Sequence, residues 1–182
     1  MNKYYFIVLF GLNLINYSAR ADSIANFDID KLPSEIKTLN LKLVGNAKLS
    51  ILFWDIYQSA LYTPSGKYAS EVMSDEIVFR IQYLRDITAK SLIERTIEQW
   101  RYLKIVEGQY EQFLPKLNLL WPDISSGDTL TLHLNKNRSL FYFNNTFIGS
   151  IDDPTFGSLF LSIWLSPNTS QKDLRAELMG GG

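Results

Sequence analysis

The sequence predicts an α+β domain in which helices are gathered against an antiparallel sheet. Three observations predict it. Leu41 to Tyr62 is the longest apolar and aromatic run after the N-terminal segment, and it reads as β structure. Residues 77–84 and 129–151 alternate apolar with polar side chains, the period of strands with one covered face. Residues 88–120 and 153–178 instead carry apolar residues at helical spacing. The order is therefore strands, two helices, strands, two helices.

Taken in order, residues 22–38 form an irregular lead-in containing Pro33. Gly45-Asn46 then interrupts the long run, and such pairs are the ordinary connection of two-residue hairpins. A short strand, a turn at Gly45-Asn46 and a long strand from about Lys48 to Tyr62 are expected. On that strand Leu52, Trp54 and Ile56 share one face, and Phe53, Asp55, Tyr57, Ser59 and Leu61 the other. Apolar residues on both faces predict a central strand covered on both sides, at least in part. Asp55, Tyr57 and Ser59 need polar partners on a covered face, which marks that face as the first place to look for a ligand.

Thr63-Pro64-Ser65-Gly66 turns the chain into the strand at 77–84, where Ile77, Phe79, Ile81 and Tyr83 face one way. A helix over 88–103 places Ala89, Ile93, Thr96, Ile97 and Trp100 on one stripe. A second helix over 109–120 carries Phe113, Leu117 and Leu120, with Pro115 kinking it or marking its first turn. Turns at Asn135-Lys136-Asn137 and Asn144-Asn145 divide 129–151 into a three-stranded meander. Asp153-Pro154 opens a helix to Trp164 or Leu165, with the Asp as N-cap. Ser166-Pro167 breaks it, and a last helix ends near Leu178.

The first residues are not expected in that core. Met1-Asn2-Lys3 is a basic start, Tyr4 to Ile15 is an apolar stretch of signal length, and Ala19-Arg20-Ala21 offers a small-x-small cut. Residues 1–21 read as a cleaved secretory signal and 22–182 as one domain. This implies a periplasmic location, and no segment reaches the length of a membrane span. Without Lys3 and Arg20 the chain has 16 basic against 19 acidic side chains, a net of −3, so no basic field invites nucleic acid. The absence of cysteine rules out thiol catalysis and thiolate metal sites. His133, the only histidine, points to the more polar face of its strand, and no nucleophile-elbow motif precedes it. No cofactor motif is present, since neither a glycine-rich phosphate loop nor a spaced metal-ligand set occurs.

Several blocks resemble the bacterial chalcone-isomerase-like family of the chalcone isomerase fold superfamily. They are Leu43-Val44-Gly45-x-x-Lys48-Leu49-Ser50 with Phe53-Trp54-x-x-Tyr57, then Tyr83-Leu84-Arg85-Asp86-Ile87 and Glu94-Arg95. Trp121-Pro122-Asp123 with Gly127-Asp128, Phe141-Tyr142-Phe143-Asn144, and Ile163-Trp164-Leu165-Ser166-Pro167 follow in family order, covering roughly Leu41 to Leu178. The resemblance implies an open-faced sandwich, an antiparallel β-sheet with a layer of α-helices on one side and a ligand cleft between them. Plant members close a chalcone to a flavanone; fatty-acid-binding relatives hold a carboxylate with an Arg and a Tyr.

Carried over residue by residue, the resemblance puts the enzymes' cleft arginine near Lys48, the threonine that polarises the ketone at Tyr57, and the catalytic Asn at Arg95. It puts the catalytic Tyr at about Thr88 and the hydroxyl residue of the late helix at Ser158, with nearby Tyr83, or Tyr57 itself, as the stand-in for the missing tyrosine. Only Lys48 and Ser158 keep the character of the position, so true chalcone isomerisation is not expected. On the helix Arg95 lies nearly opposite Ile93 and Ile97, where a solvated arginine paired with Glu94 or Glu98 also belongs.

The expected function is an exported, non-catalytic binder of a small hydrophobic or carboxylate ligand, such as a fatty acid or lipid fragment. The expected ligand site comprises Lys48, Tyr57, Tyr83, Thr88, Arg95 and Ser158. The alternatives are an isomerase or intramolecular lyase acting on a non-chalcone enone, and a structural protein that binds a partner.

Overall fold

A computed structural model of the chain describes residues 31–68, 76–136 and 138–181. The expected signal segment and most of the lead-in lie outside these residues. Six strands form one antiparallel sheet in sequence order: β1 (Lys42–Ile51), β2 (Trp54–Thr63), β3 (Glu76–Tyr83), β4 (Thr129–Asn135), β5 (Arg138–Phe143) and β6 (Thr146–Ile151). The short helix α1 (Ser34–Lys37) precedes the sheet, α2 (Ala89–Tyr102) and α3 (Leu114–Leu120) fall between β3 and β4, and α4 (Phe156–Leu165) and α5 (Lys172–Leu178) follow β6.

The expected α+β open-faced sandwich is the architecture found. One face of the sheet presents Leu61, Phe79, Ile81, Leu130, Leu132, Leu134 and Phe141, and α2 to α5 pack against it. Residues 31–41, with α1, cover part of the other face: Leu32, Ile36 and Leu41 close over Ala60, Tyr62, Val78 and Tyr142. This second, smaller core explains why β2 and β3 are apolar on both sides. His133 lies on that second face against the Glu76 carboxylate.

The helices begin where local chemistry predicts. Thr88 is the N-cap of α2, and its hydroxyl accepts from the Ser91 amide at 3.1 Å. Asp123 accepts from the Ala89 amide at 2.8 Å, satisfying another orphan donor of the first turn. Pro115 stands in the first turn of α3, and two 3-10 turns (Glu107–Gln109 and Glu111–Phe113) replace the expected helical lead from 109. Asp153 does accept from the Thr155 amide at 2.7 Å, but α4 starts two residues later than Pro154 implied.

The first hairpin is a correction. Gly45-Asn46 makes no turn; both lie inside β1, paired with Leu61 and Ala60 of β2. A methyl group on Gly45 would lie 2.2 Å from the Glu177 carbonyl oxygen and 2.7 Å from that of Leu178, so the glycine lets the end of α5 lie directly on the strand. The chain reverses instead at Leu52-Phe53, beyond the last pair Ile51–Trp54. Leu52 has φ +56°. Positive φ at the first central position alone is the pattern of a type II′ turn, where glycine is the usual occupant.

A register shift between Leu49 and Ser50 corrects the faces as well. Leu49 pairs with Tyr57 but Ser50 pairs with Asp55, so Ile56 is the extra residue of a bulge. Tyr57, Ser59 and Leu61 therefore share the helix-facing side as expected, whereas Asp55 is turned to the side of Ser50 and Lys48. There its carboxylate accepts from the Ser50 hydroxyl at 2.6 Å and the Lys48 ammonium at 3.0 Å.

Those two donors, the hydroxyl foremost, hold the Asp55 carboxyl below its ordinary value. A depressed carboxyl stabilises the fold above its unfolded pKa, and the contribution disappears as pH falls through the folded value. Asp55→Asn is expected to cost less than about 1 kcal/mol at neutral pH, the side chains being half-exposed. Urea midpoints of the two proteins should converge below about pH 4, the unfolded carboxyl range; a gap that persists in acid would refute the ion pair as its source.

Candidate functional site

One end of the sandwich is assembled from the start of β2, the end of β3, the loop before β4 and the last turn of α4. Backbone bonds fix it: the Tyr83 amide donates to Asp128 O at 2.9 Å, and Gly127 donates to Tyr83 O at 2.8 Å. Asp86 accepts from the Ser126 amide at 2.8 Å, and Asp128 accepts from the Ser125 amide at 2.7 Å and from the Asn144 side-chain amide at 2.7 Å. The Asp-rich turns are thus the staples of this end and are occupied as such.

Inside it, Tyr57 and Tyr83 stand on adjacent strands as a cross-strand pair. Their rings meet edge-on with centroids 6.1 Å apart. Trp164, from α4, donates its indole N–H to the Tyr57 hydroxyl at 2.8 Å. The same indole lies 4.8 Å from the Phe79 ring and 5.2 Å from that of Phe160, so the seam around the tyrosines is packed with aromatic rings. Burial pushes the Tyr57 phenol up to about 12 against the smaller opposing effect of the Trp164 bond. Burial raises Tyr83 further, helped by its neighbour Tyr57. Both phenols remain protonated at neutral pH and act as donors, not bases. The Tyr57 oxygen accepts from Trp164, and no hydrogen bond of the Tyr83 hydroxyl occurs among the described residues.

The other four expected site residues are elsewhere. Lys48 is exposed in its ion pair with Asp55. Arg95 is exposed on α2 and pairs with Glu98 at 2.6 Å, one turn along the same helix. Thr88 is spent on its cap. Ser158 is exposed, donates to the Thr155 carbonyl at 3.0 Å, and lines a shallow groove of about 560 Å³ with Gln109, Gln112, Thr155, Leu159 and Ser162. The expected group of six is therefore not one constellation: Tyr57 and Tyr83 come together, and neither Lys48 nor Arg95 joins them. The residue missed was Trp164. Its signal was present, since it lies on the apolar stripe that runs through Phe156, Phe160 and Ile163. Among the described residues no three His, Cys, Asp or Glu side chains gather in a way that could hold a metal ion.

The family model described as chalcone isomerase-like matches residues 21–180. The chain belongs to the chalcone isomerase-like family. An uncharacterized protein of Haemophilus influenzae is 26% identical over 137 residues, 75% of this chain and 67% of that protein. Among solved structures, a fatty-acid binding protein of Arabidopsis thaliana is similar to this chalcone isomerase-like chain with a TM-score of 0.58 and 16% identity. That likeness covers 77% of this chain and 87% of the plant protein, and it reports a shared fold. The family-resembling turns Arg85-Asp86, Trp121-Pro122-Asp123 and Gly127-Asp128 are those that staple the tyrosine end. The motifs of this chalcone isomerase-like chain thus contain the site's aromatic residues Tyr57, Tyr83 and Trp164 as well as the turns that hold them in place.

Proposed function

We propose that this chalcone isomerase-like protein is a non-catalytic carrier of a small apolar molecule with a carboxyl or carbonyl head, of the fatty-acid or lipid-fragment class. The observation that carries the reading is the pair Tyr57 and Tyr83. Two phenols, protonated at neutral pH, sit in an aromatic seam, and neither proton has an acceptor among the described hydrogen bonds. A phenol proton without a protein acceptor is free to bond an oxygen of a ligand head. With no cation beside them among the described residues, the phenols would recognise the head as neutral hydrogen-bond donors, and apolar side chains would take the tail. The fatty-acid binding protein of the same fold supports the ligand class.

The test is ligand extraction from purified mature protein, followed by calorimetric titration with a long-chain fatty acid. Tyr83→Phe removes a hydroxyl that bonds no protein group, so it should leave the thermal midpoint unchanged. It should weaken fatty-acid binding by roughly tenfold, the loss of one hydrogen bond to a charged group. A protein that carries no lipid and binds none, or a Tyr83→Phe variant of unchanged affinity, would end this reading. The same two donors would also polarise the carbonyl of an enone. Turnover of an enone-type substrate, lost in Tyr57→Phe, would select an isomerase over a carrier.

Export is part of the proposal. It rests on the basic start, apolar stretch and Ala19-Arg20-Ala21 of the first 21 residues. N-terminal sequencing of protein from fractionated cells should find a mature start at Asp22 in the periplasmic fraction; an intact Met1 in the cytoplasm would refute it.

A further inference from the structure

The β1–β2 hairpin ends in two large apolar side chains that the described residues leave exposed. Leu52 is 87% exposed and Phe53 90%, and Trp54 beside them is 46% exposed. The backbone makes this costly twice over. Leu52 holds φ +56°, a region that disfavours a side chain and that the turn type would normally give to glycine. Apolar surface is also left in water at the tip of an edge hairpin, where polar turn residues are the ordinary choice. The base of the tip is rigid: Asp55 ties Ser50 to Lys48, and the Arg85 guanidinium lies 4.1 Å from the Trp54 ring centroid while Arg85 Nε donates to Asp55 O at 3.4 Å.

We infer that this tip docks the protein on a lipid surface, Leu52 and Phe53 entering the acyl boundary and Trp54 with Arg85 lying at the headgroups. The chemistry fits each depth. Leucine and phenylalanine partition into hydrocarbon, whereas tryptophan and arginine favour the interface, where the indole ring and the guanidinium both stay wet at one side. Arg85 also complements the phosphates of anionic lipids. A second copy of the chain fits less well. Two such tips facing each other bury only a few hundred Å², against roughly 1,200–2,000 Å² in a specific protein pair. Docking does not require that Tyr57 and Tyr83 hold a ligand, so it stands or falls separately from the carrier reading. The hairpin nevertheless leads into the strand that carries Tyr57, which places a lipid surface next to the tyrosine end.

The experiment uses the mature chain and vesicles of phosphatidylethanolamine with phosphatidylglycerol, read by cosedimentation and by the blue shift of tryptophan emission. Leu52→Gly combined with Phe53→Asn replaces the tip by a turn pair better suited to the same backbone. This double variant should fold with an equal or higher thermal midpoint and lose vesicle partitioning by roughly tenfold per side chain removed. Phe53→Ser alone, which leaves Leu52 and its turn in place, should give the intermediate loss. Wild-type protein that stays in the supernatant, or a double variant that partitions as the wild type does, overturns the inference. So does a wild-type dimer, measured by light scattering without vesicles, that becomes a monomer in the double variant. Fatty-acid titration in solution is the separate readout: the double variant retains it if the carrier reading holds, whatever the vesicles show.

Discussion

Gly45→Ala is expected to detach helix α5 from the sheet and cost about 3 kcal/mol of stability. The cause is steric. Gly45 follows a bulge at Val44 but has no positive φ, so alanine meets no left-handed strain there. Its methyl group, however, would fall 2.2 Å from one carbonyl oxygen and 2.7 Å from another, both backbone atoms at the end of α5. Backbone cannot rotate away as a side chain can, so either β1 or the helix must move. Leu174 and Leu178, buried where α5 meets the sheet, lose their contacts when it does. Urea denaturation should show the loss, and hydrogen exchange should place it first in residues 172–178. Gly108→Ala is the control, since nothing lies within 4 Å of the added methyl. Equal stability of Gly45→Ala and Gly108→Ala would mean that α5 does not rest on β1.

Trp100→Ala should cost about 4 kcal/mol, the range for emptying a buried indole site. Trp100 is wholly buried and joins three elements at once. From α2 it stacks on Tyr110 at 4.9 Å between centroids, and it donates its N–H to the Leu159 carbonyl of α4 at 3.1 Å. Truncation leaves a cavity bounded by separate elements, which cannot all collapse into it. Trp100→Phe tells packing from hydrogen bonding. The Leu159 carbonyl also accepts from Ser162 at 2.6 Å, so losing the indole bond orphans no acceptor. Phenylalanine should therefore recover more than half of the loss. A denaturation midpoint for Trp100→Ala within experimental error of the wild type would contradict the packing described here.

The elements that the sequence determined are those whose side-chain period is unambiguous. The alternation at Ile77, Phe79, Ile81 and Tyr83 places β3 within a residue of its bounds, and the stripe Ile93–Thr96–Trp100 does the same for α2. Thr88 stands where the apolar stripe put the start of α2, whereas Asp153, expected as the N-cap of α4, bonds the amide of Thr155, which is itself the N-cap. The surface pairing of Arg95 with Glu98 was legible because both residues lie on one helical turn. Strand alternation put Tyr57 on a covered face with Asp55 and Ser59, and the family resemblance made it a candidate; Tyr83 entered only as a stand-in for the tyrosine that the resemblance leaves missing.

What failed were positions where a distant element overrides the local signal. Gly45-Asn46 carries a hairpin signature, yet the glycine answers to α5, more than a hundred residues later in the chain. The true turn at Leu52-Phe53 has no turn chemistry at all, so no propensity could reveal it. One extra residue, Ile56, swung Asp55 away from the tyrosine side to the face that Lys48 already occupies, where the two pair. The bond from Trp164 to Tyr57 spans 107 residues and exists only because α4 lies across β2 and β3. Periodicity and capping are properties of neighbouring residues, so the chain alone placed β3 to β6, α2 and the family, but not the reversal between β1 and β2 or the start of α4. Which polar groups meet depends on bulges and on the close approach of helix to sheet, so only the folded sandwich decided that two tyrosines, and no cation among the described residues, occupy the seam.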